Sequence, residues 1–141
     1  MALAVTNRAI EAAPTVRELL DQAKAVEHDD ANSSRILVQQ ARVLARSQND
    51  EAGEAEALYR LARLAYYGGQ ADDAFAVAVD ARDLARKCGA VVVEVWALSL
   101  MGVVHFNAGN HSESLACHPT VKLLPTQRLP SLSNIALPPA R

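Results

Sequence analysis

A forty-residue internal repeat is the feature that most constrains what this chain can fold into. Residues 81–86 (ARDLAR) lie forty positions after residues 41–46 (ARVLAR), and five of the six aligned positions are identical. The same shift relates further residues, namely Glu54 to Glu94, Leu58 to Leu98 and Gly69 to Gly109. Self-similarity at this period is typical of helical repeat proteins, because one unit can bury its apolar face only against a neighbour. The chain is therefore predicted to be all-α.

The unit at residues 57–89 predicts that two helices form each repeat. Leu58 and Leu61 recur at helical spacing before the turn residues Gly68 and Gly69. After the turn, one face carries only small side chains, at Ala74, Ala78, Ala81 and Ala85. A row of alanines lets two helix backbones approach closely, so each unit is predicted to be a packed helical hairpin.

Local signals give the expected helix ends. Thr15 and Glu18 form a capping-box pattern, so the first helix is expected from Thr15 to about Glu27 and the second from about Ala31 to Arg46. Gly89 is placed to end a helix with a positive φ. Asn110, three residues before Glu113, is a candidate helix cap. The valine-rich residues 91–95 taken alone favour a strand, but the repeat register assigns residues 94–108 to a helix.

The composition divides the chain into three parts. Residues 1–13 are a short lead-in, and residues 14–117 are the repeat domain, with units at about 14–53, 54–93 and 94–117. Five of the six prolines lie in the last 23 residues, and Pro125 falls where the register requires a helix. Residues 118–141 are thus expected to be a disordered or irregular Pro-rich tail. The predicted fold is a right-handed α-solenoid of about three hairpins.

Composition argues against several classes of partner. The net charge is −2 and the lysines and arginines are scattered, so no nucleic-acid footprint is expected. No apolar segment of membrane-spanning length occurs in the sequence. Residues 1–13 do not resemble a signal peptide, and the two cysteines do not have metal-type spacing. The expected location is therefore the cytoplasm, with both thiols reduced.

No motif for chemistry is present in the sequence. It contains neither a glycine-rich phosphate loop nor the GxSxG or HExxH pattern, so no enzyme activity and no catalytic residue are predicted. His105, His111, Cys117 and His118 lie near one another along the chain. They have no paired short spacing of the kind that zinc sites use, so neither a metal nor another cofactor is predicted.

Across about residues 15–117, the hairpins resemble tetratricopeptide (TPR) repeats. The residues that carry this resemblance are Leu58, Leu61, Ala62, Gly69, Ala74 and Ala81 in the middle unit and Leu98, Met101, Gly102 and Gly109 in the last. They match the family's packing positions in the first helix, its turn glycine and its alanines in the second helix. The forty-residue period is longer than the commonest TPR period. Units of this length resemble the TPR regions of bacterial signalling proteins.

The resemblance implies a concave groove, lined by the first helix of each pair, that binds a partner peptide or helix. Carried over by position, the first unit would contribute Leu19, Ala23 and Val26. The groove residues of the other two units would be Tyr59, Arg63, Tyr66, Tyr67, Trp96, Ser99, Val103, Phe106 and Asn107. Tyr59 and Arg63 replace the lysine–asparagine clamp with which some members hold a C-terminal carboxylate, so a chaperone-tail binder is not predicted.

Two functional readings follow from the resemblance. In the first, the chain is a non-catalytic protein–protein interaction module. In the alternative, it is the N-terminal sensory or regulatory region of a larger bacterial signalling protein, such as a diguanylate cyclase or a transcription regulator.

The aromatic row itself has three interpretations. The rings could bind a partner, fill the space between hairpins, or form a self-association surface. In addition, the incomplete last unit is expected to leave Leu98, Met101 and Leu115 poorly covered. Either the tail folds over that face, or two copies pair there as a homodimer, and the second is the favoured prediction.

Overall fold

The computed structural model describes residues 13–119, and every regular element in this part of the chain is a helix, without strands. Its helices are α1 (Val16–Val26), α2 (Ala31–Ser47), α3 (Glu51–Tyr67), α4 (Ala71–Cys88), α5 (Val91–Asn107) and α6 (His111–Ala116). The all-α prediction is confirmed. Almost all of the predicted lead-in, and the predicted tail from residue 120 onward, lie outside the described residues.

The helix boundaries repeat with the period of the sequence. Helices α3 and α5 begin at residues 51 and 91 and end at residues 67 and 107. Helices α2, α4 and α6 begin at residues 31, 71 and 111. Rejecting a strand at residues 91–95 was therefore correct, although α5 begins three residues before the predicted start at Glu94. The three valines join α5 because their counterparts forty residues earlier open α3.

The turns repeat as well. Gly69 and Gly109, forty residues apart, have φ angles of 81° and 83°. Asn49 occupies the position forty residues before Gly89, and both backbones are left-handed, with φ angles of 55° and 77°. Asparagine is one of the few residues other than glycine that tolerates this conformation. The expected positive φ at Gly89 is confirmed.

The helix caps follow the predictions only in part. The capping box is present, because Glu18 N donates to Thr15 Oγ1 at 3.1 Å and Thr15 N donates to Glu18 Oε2 at 3.2 Å. Asn110 is the N-cap residue of α6 as predicted, but its side chain makes no capping hydrogen bond. Two caps were missed: Asp30 accepts from Ser33 N at 3.1 Å and Asp50 from Gly53 N at 2.9 Å.

Two buried clusters form the core, and α3 contributes to both. Consecutive helices pack against each other, and α3 also contacts α1 and α5. Ala57 and Leu64 of α3 join the cluster shared with α1 and α2. Leu58 and Ala62 of α3 join the cluster shared with α4 and α5. Helix α3 is thus packed against other helices on two sides. Helix α5 packs against α3 in one of the two clusters, so both helices that border the space between them belong to the core.

The forty-residue repeat is also present in the core, as a row of buried alanines. We call this row the alanine seam; it consists of Ala41 and Ala45 in α2 and of Ala81 and Ala85 in α4. All four side chains are fully buried. An ion pair next to the seam repeats too: Arg46 Nε donates to Glu54 Oε1 and Arg86 Nε to Glu94 Oε1, each at 2.7 Å. These pairs join the second helix of one hairpin to the first helix of the next.

The last hairpin is better covered than the sequence suggested. Leu98 and Met101 are buried, so the expectation that they are poorly covered is wrong, whereas Leu115 is 71% exposed as expected. Gly102 has no side chain to hold α6 away, and Ser114 Oγ donates to its carbonyl oxygen at 2.8 Å. The short α6 can therefore lie close against α5. Homodimer formation stays a prediction, but two of the three residues behind it are buried within one chain.

Candidate functional site

Helices α3 and α5 form the two walls of a concave groove. Seven of the nine groove residues predicted from the sequence line one cavity of about 210 Å³, together with Leu100. They are Tyr59, Arg63, Tyr66 and Tyr67 on α3 and Trp96, Ser99 and Val103 on α5. On each helix these residues are spaced so that they share one face.

The other two predicted residues lie at the far end of the groove. Asn107 Nδ2 donates a short hydrogen bond to the hydroxyl of Tyr66, which ties the last turn of α5 to α3. Phe106 instead borders a neighbouring cavity of about 370 Å³ between α5 and the segment after it. Ser99 and Val103 line both cavities, so Phe106 lies beside the groove rather than inside it.

The aromatic rings divide between core and surface. Tyr59 is only 9% exposed and packs against Trp96, with ring centroids 5.5 Å apart. Trp96 is 36% and Tyr67 61% exposed. Tyr66 is half-buried and contacts Tyr67 edge-on at 5.6 Å. The interpretation that the rings fill space between hairpins therefore fits Tyr59, whereas Trp96 and Tyr67 keep large faces open to a ligand.

Arg63 is held in place at the centre of the groove. Its guanidinium donates to both carboxylate oxygens of Glu27, at 2.9 and 3.3 Å, and to the hydroxyl of Tyr59 at 3.3 Å. It also lies 5.4 Å from the ring centroid of Tyr67. Burial opposes its charge, but the hydrogen bonds to Tyr59 and Glu27 more than offset this, and the pKa of Arg63 is raised above its ordinary value. Arg63 thus remains a fixed cation that positions Tyr67.

The first hairpin meets the groove through residues that the sequence analysis missed. Leu19 and Ala23 are buried in the core between α1, α2 and α3, so their assignment to the groove is wrong. Val26 is half-buried and lines neither of the two groove cavities. Lys24 lines the groove, and Glu27 holds Arg63. Lys24 follows Ala23 by one residue and is rotated from it by about 100° around the helix, whereas Glu27 follows it by four residues and is rotated by only about 40°.

A cation-rich pocket continues the groove toward α1. Lys24, Tyr59, Arg60, Arg63 and Trp96 line this cavity of about 260 Å³. It shares Tyr59, Arg63 and Trp96 with the cavity described first, so the two cavities adjoin. Sequence reasoning did not select Arg60, because its position next to Tyr59 places it on a different helix face.

The outer edge of α5 extends the groove as an exposed apolar stripe. Val92, Trp96, Val103 and Phe106 are all exposed, and their spacing of four, seven and three residues keeps them on one side of the helix. Val92 fell outside the predicted helix, which was expected to begin at Glu94. The stripe therefore starts one turn earlier than the sequence analysis indicated.

The histidines lie beside aromatic rings. His105 meets Phe75 edge-on at a centroid distance of 4.8 Å, and His111 meets Phe106 at 5.1 Å. Within residues 13–119, no group of three or more His, Cys, Asp or Glu side chains is arranged to hold a metal ion. In the same part of the chain, no helix combines the length and apolar character needed to cross a bilayer.

The chain was compared with protein-family models, with curated proteins and with solved structures, and none of them matches it. The TPR resemblance therefore rests on the residues of this chain alone.

Proposed function

We propose that this protein is a non-catalytic binding module, in which helix pairs stack as a right-handed TPR-like α-solenoid and the groove between α3 and α5 holds a segment of a partner protein. The forty-residue spacing of helix boundaries and turns supports the stacking. The repeated Arg46–Glu54 and Arg86–Glu94 pairs support it too, since each joins successive hairpins in the same way.

One observation carries the binding proposal: exposed apolar side chains of α5 face aromatic side chains of α3 across a single open depression. Trp96 and Val103 belong to the exposed stripe and also line the cavity that Tyr66 and Tyr67 line from the other side. A contiguous exposed apolar surface on a folded protein commonly marks an interaction site. Tryptophan, tyrosine and arginine are also the residues that contribute most to binding energy.

The exposed stripe on α5 has a length that suits a peptide segment. Phe106 lies fourteen positions after Val92, so the stripe is about 21 Å long at 1.5 Å per residue. About six extended residues span that length. A partner helix of about four turns would span it equally well.

The test begins by selecting ligands of the protein from a library of random decapeptides displayed on beads. The selected peptides are then resynthesised with blocked ends and a fluorescent label, and the affinity of the protein for each is measured by fluorescence anisotropy. Val103→Glu places a charge on the wall of the groove, and we expect it to weaken binding by at least about tenfold, as for a central interface residue. Val43→Glu is the matched control, because Val43 is exposed on α2 and lines neither groove cavity.

Circular dichroism should show that both variants remain folded. Failure to select any peptide, or equal loss of binding in the two variants, would refute the proposed groove.

A further inference from the structure

The pocket at the α1 end of the groove contains more positive than negative charge. Lys24, Arg60 and Arg63 line it, and Arg17 binds the same carboxylate, Glu56, as Arg60. The carboxylates paired with these cations are Glu27, which binds Arg63, and Glu56, which Arg60 and Arg17 share. The exposed Asp21 pairs only with Arg17, and Lys24 has no ion pair with any described residue. Lys24 therefore remains uncompensated in a protein whose net charge is −2.

Arg60 lacks an acceptor for one of its donors. Its side chain is nine-tenths buried, and only its Nη2 makes an ion pair, at 3.1 Å from Glu56 Oε1. The Nε atom is buried without a hydrogen-bond partner among the described residues. A buried donor without an acceptor costs free energy, so native proteins usually provide one. Because Arg60 also lines the pocket, an acceptor bound there lies beside its guanidinium.

The walls of the pocket include two aromatic rings. Tyr59 and Trp96 line it and pack against each other, with their ring planes inclined by 32°. Aromatic rings beside a cation lower the local dielectric constant relative to bulk water, and the attraction between opposite charges is larger there. Lys24 also lies in the last turn of α1, where it complements the helix dipole. That role accounts for a cation at this position but not for the unpaired donor of Arg60.

We infer that this pocket binds an acidic side chain, an aspartate or glutamate, of the partner segment. The inference rests on the proposed function and adds the chemistry of the partner. The carboxylate lies between Lys24 and Arg60, and a neighbouring apolar side chain of the same segment occupies the part of the groove lined by Tyr66 and Val103. The two parts share Tyr59, Arg63 and Trp96, so residues close together in one segment reach both.

Trp96 allows the test to be read directly, because it is the only tryptophan in the chain and lines both parts of the groove. Decapeptides selected on the wild-type protein should carry Asp or Glu within a few residues of a large apolar residue. Each selected peptide is then made with its acid and with the amide instead, Glu→Gln or Asp→Asn. All peptides have blocked ends, so that no terminal carboxylate competes, and are titrated by the fluorescence of Trp96.

The variant is Lys24→Gln, which removes the unpaired charge and keeps an exposed polar side chain. Arg35→Gln is the matched control, since it removes one exposed positive charge outside both parts of the groove. In a double-mutant cycle, the acidic peptide should lose about three- to tenfold more affinity than the amide peptide on Lys24→Gln. Arg35→Gln should show no such difference, and added salt should reduce the preference for the acid.

The outcomes separate this inference from the proposed function. The peptides could bind the wild-type protein and lose affinity on Val103→Glu, yet show no preference for an acid and no coupling to Lys24. That result would overturn the inference but would leave the proposed groove in place. Phosphoserine bound at least tenfold more tightly than glutamate at the same position would overturn the assignment to a carboxylate. If no peptide binds at all, the proposed function itself fails.

Discussion

Along the alanine seam the same residues recur every forty positions, whereas along the groove they change from one hairpin to the next. Ala41 corresponds to Ala81 and Ala45 to Ala85, and all are fully buried. In the groove, the forty-residue counterparts of Tyr59, Arg63 and Tyr67 are Ser99, Val103 and Asn107. Packing requires the seam to repeat, because each hairpin meets its neighbour through it. The groove side chains make contacts that differ from one hairpin to the next, such as Arg63 with Glu27 and Tyr66 with Asn107, so they need not repeat and can select a ligand.

The largest expected effect tests whether the last hairpin has a buried core like that of the hairpins before it. Leu98 is fully buried and is the counterpart of Leu58. We expect Leu98→Ala to lower the free energy of unfolding by about 2–5 kcal/mol, because it leaves a cavity in the core. Leu115→Ala, at an exposed position of α6, should change it by about 0.5 kcal/mol or less. Urea denaturation measures both, and similar values would mean that the last hairpin is open at its end.

The seam can be tested by enlarging it. Ala81→Leu adds a branched side chain where two helices are in close contact, and it should cost about 1–3 kcal/mol. Ala76→Leu is the matched control on the same helix, since Ala76 is exposed, and its effect should be within about 0.5 kcal/mol. Thermal unfolding followed by circular dichroism compares the two. A seam that tolerates leucine would show that close approach of α4 to its neighbours is not what the repeat preserves.

The smallest stability effect is expected in the groove. Tyr67→Ala removes an exposed ring that contacts Arg63, Tyr66 and His28, so it should destabilise the protein by less than about 1 kcal/mol. Tyr59→Ala, on the same helix but buried, should cost about 3 kcal/mol. Chemical denaturation of the two variants distinguishes a ring available for binding from a ring that belongs to the core. Equal losses would assign Tyr67 to the core as well.

The sequence predicts the helices well because their boundaries repeat with the residues. The turns at Gly69 and Gly109 are equivalent, and so are the starts of α3 and α5. The period also predicts a helix correctly at the valine-rich residues 91–95, although the local preference of these residues is for a strand. Side-chain caps were harder to predict: the Thr15 capping box is present, but Asn110 does not cap α6 with its side chain, and the Asp30 and Asp50 caps were missed.

The candidate site was less predictable, because its charged contacts join residues that are distant in sequence. Arg63 pairs with Glu27, 36 positions away, and Arg17 with Glu56, 39 positions away. Such pairs depend on how α1 lies against α3, which periodicity does not specify. The aromatic row was recognisable from helical spacing and the TPR resemblance. Lys24 and Arg60 were not, since neither lies on the face that the resemblance selects.

Helix α3 contributes buried residues to both clusters of the core, with Ala57 and Leu64 on one side and Leu58 and Ala62 on the other. Neither cluster can come apart without exposing a side of this helix. The two ends of the described protein are therefore coupled through one shared element, and a hairpin cannot melt independently of its neighbour. Amide hydrogens in α3 should be the slowest to exchange with deuterium, because their release requires opening on both sides.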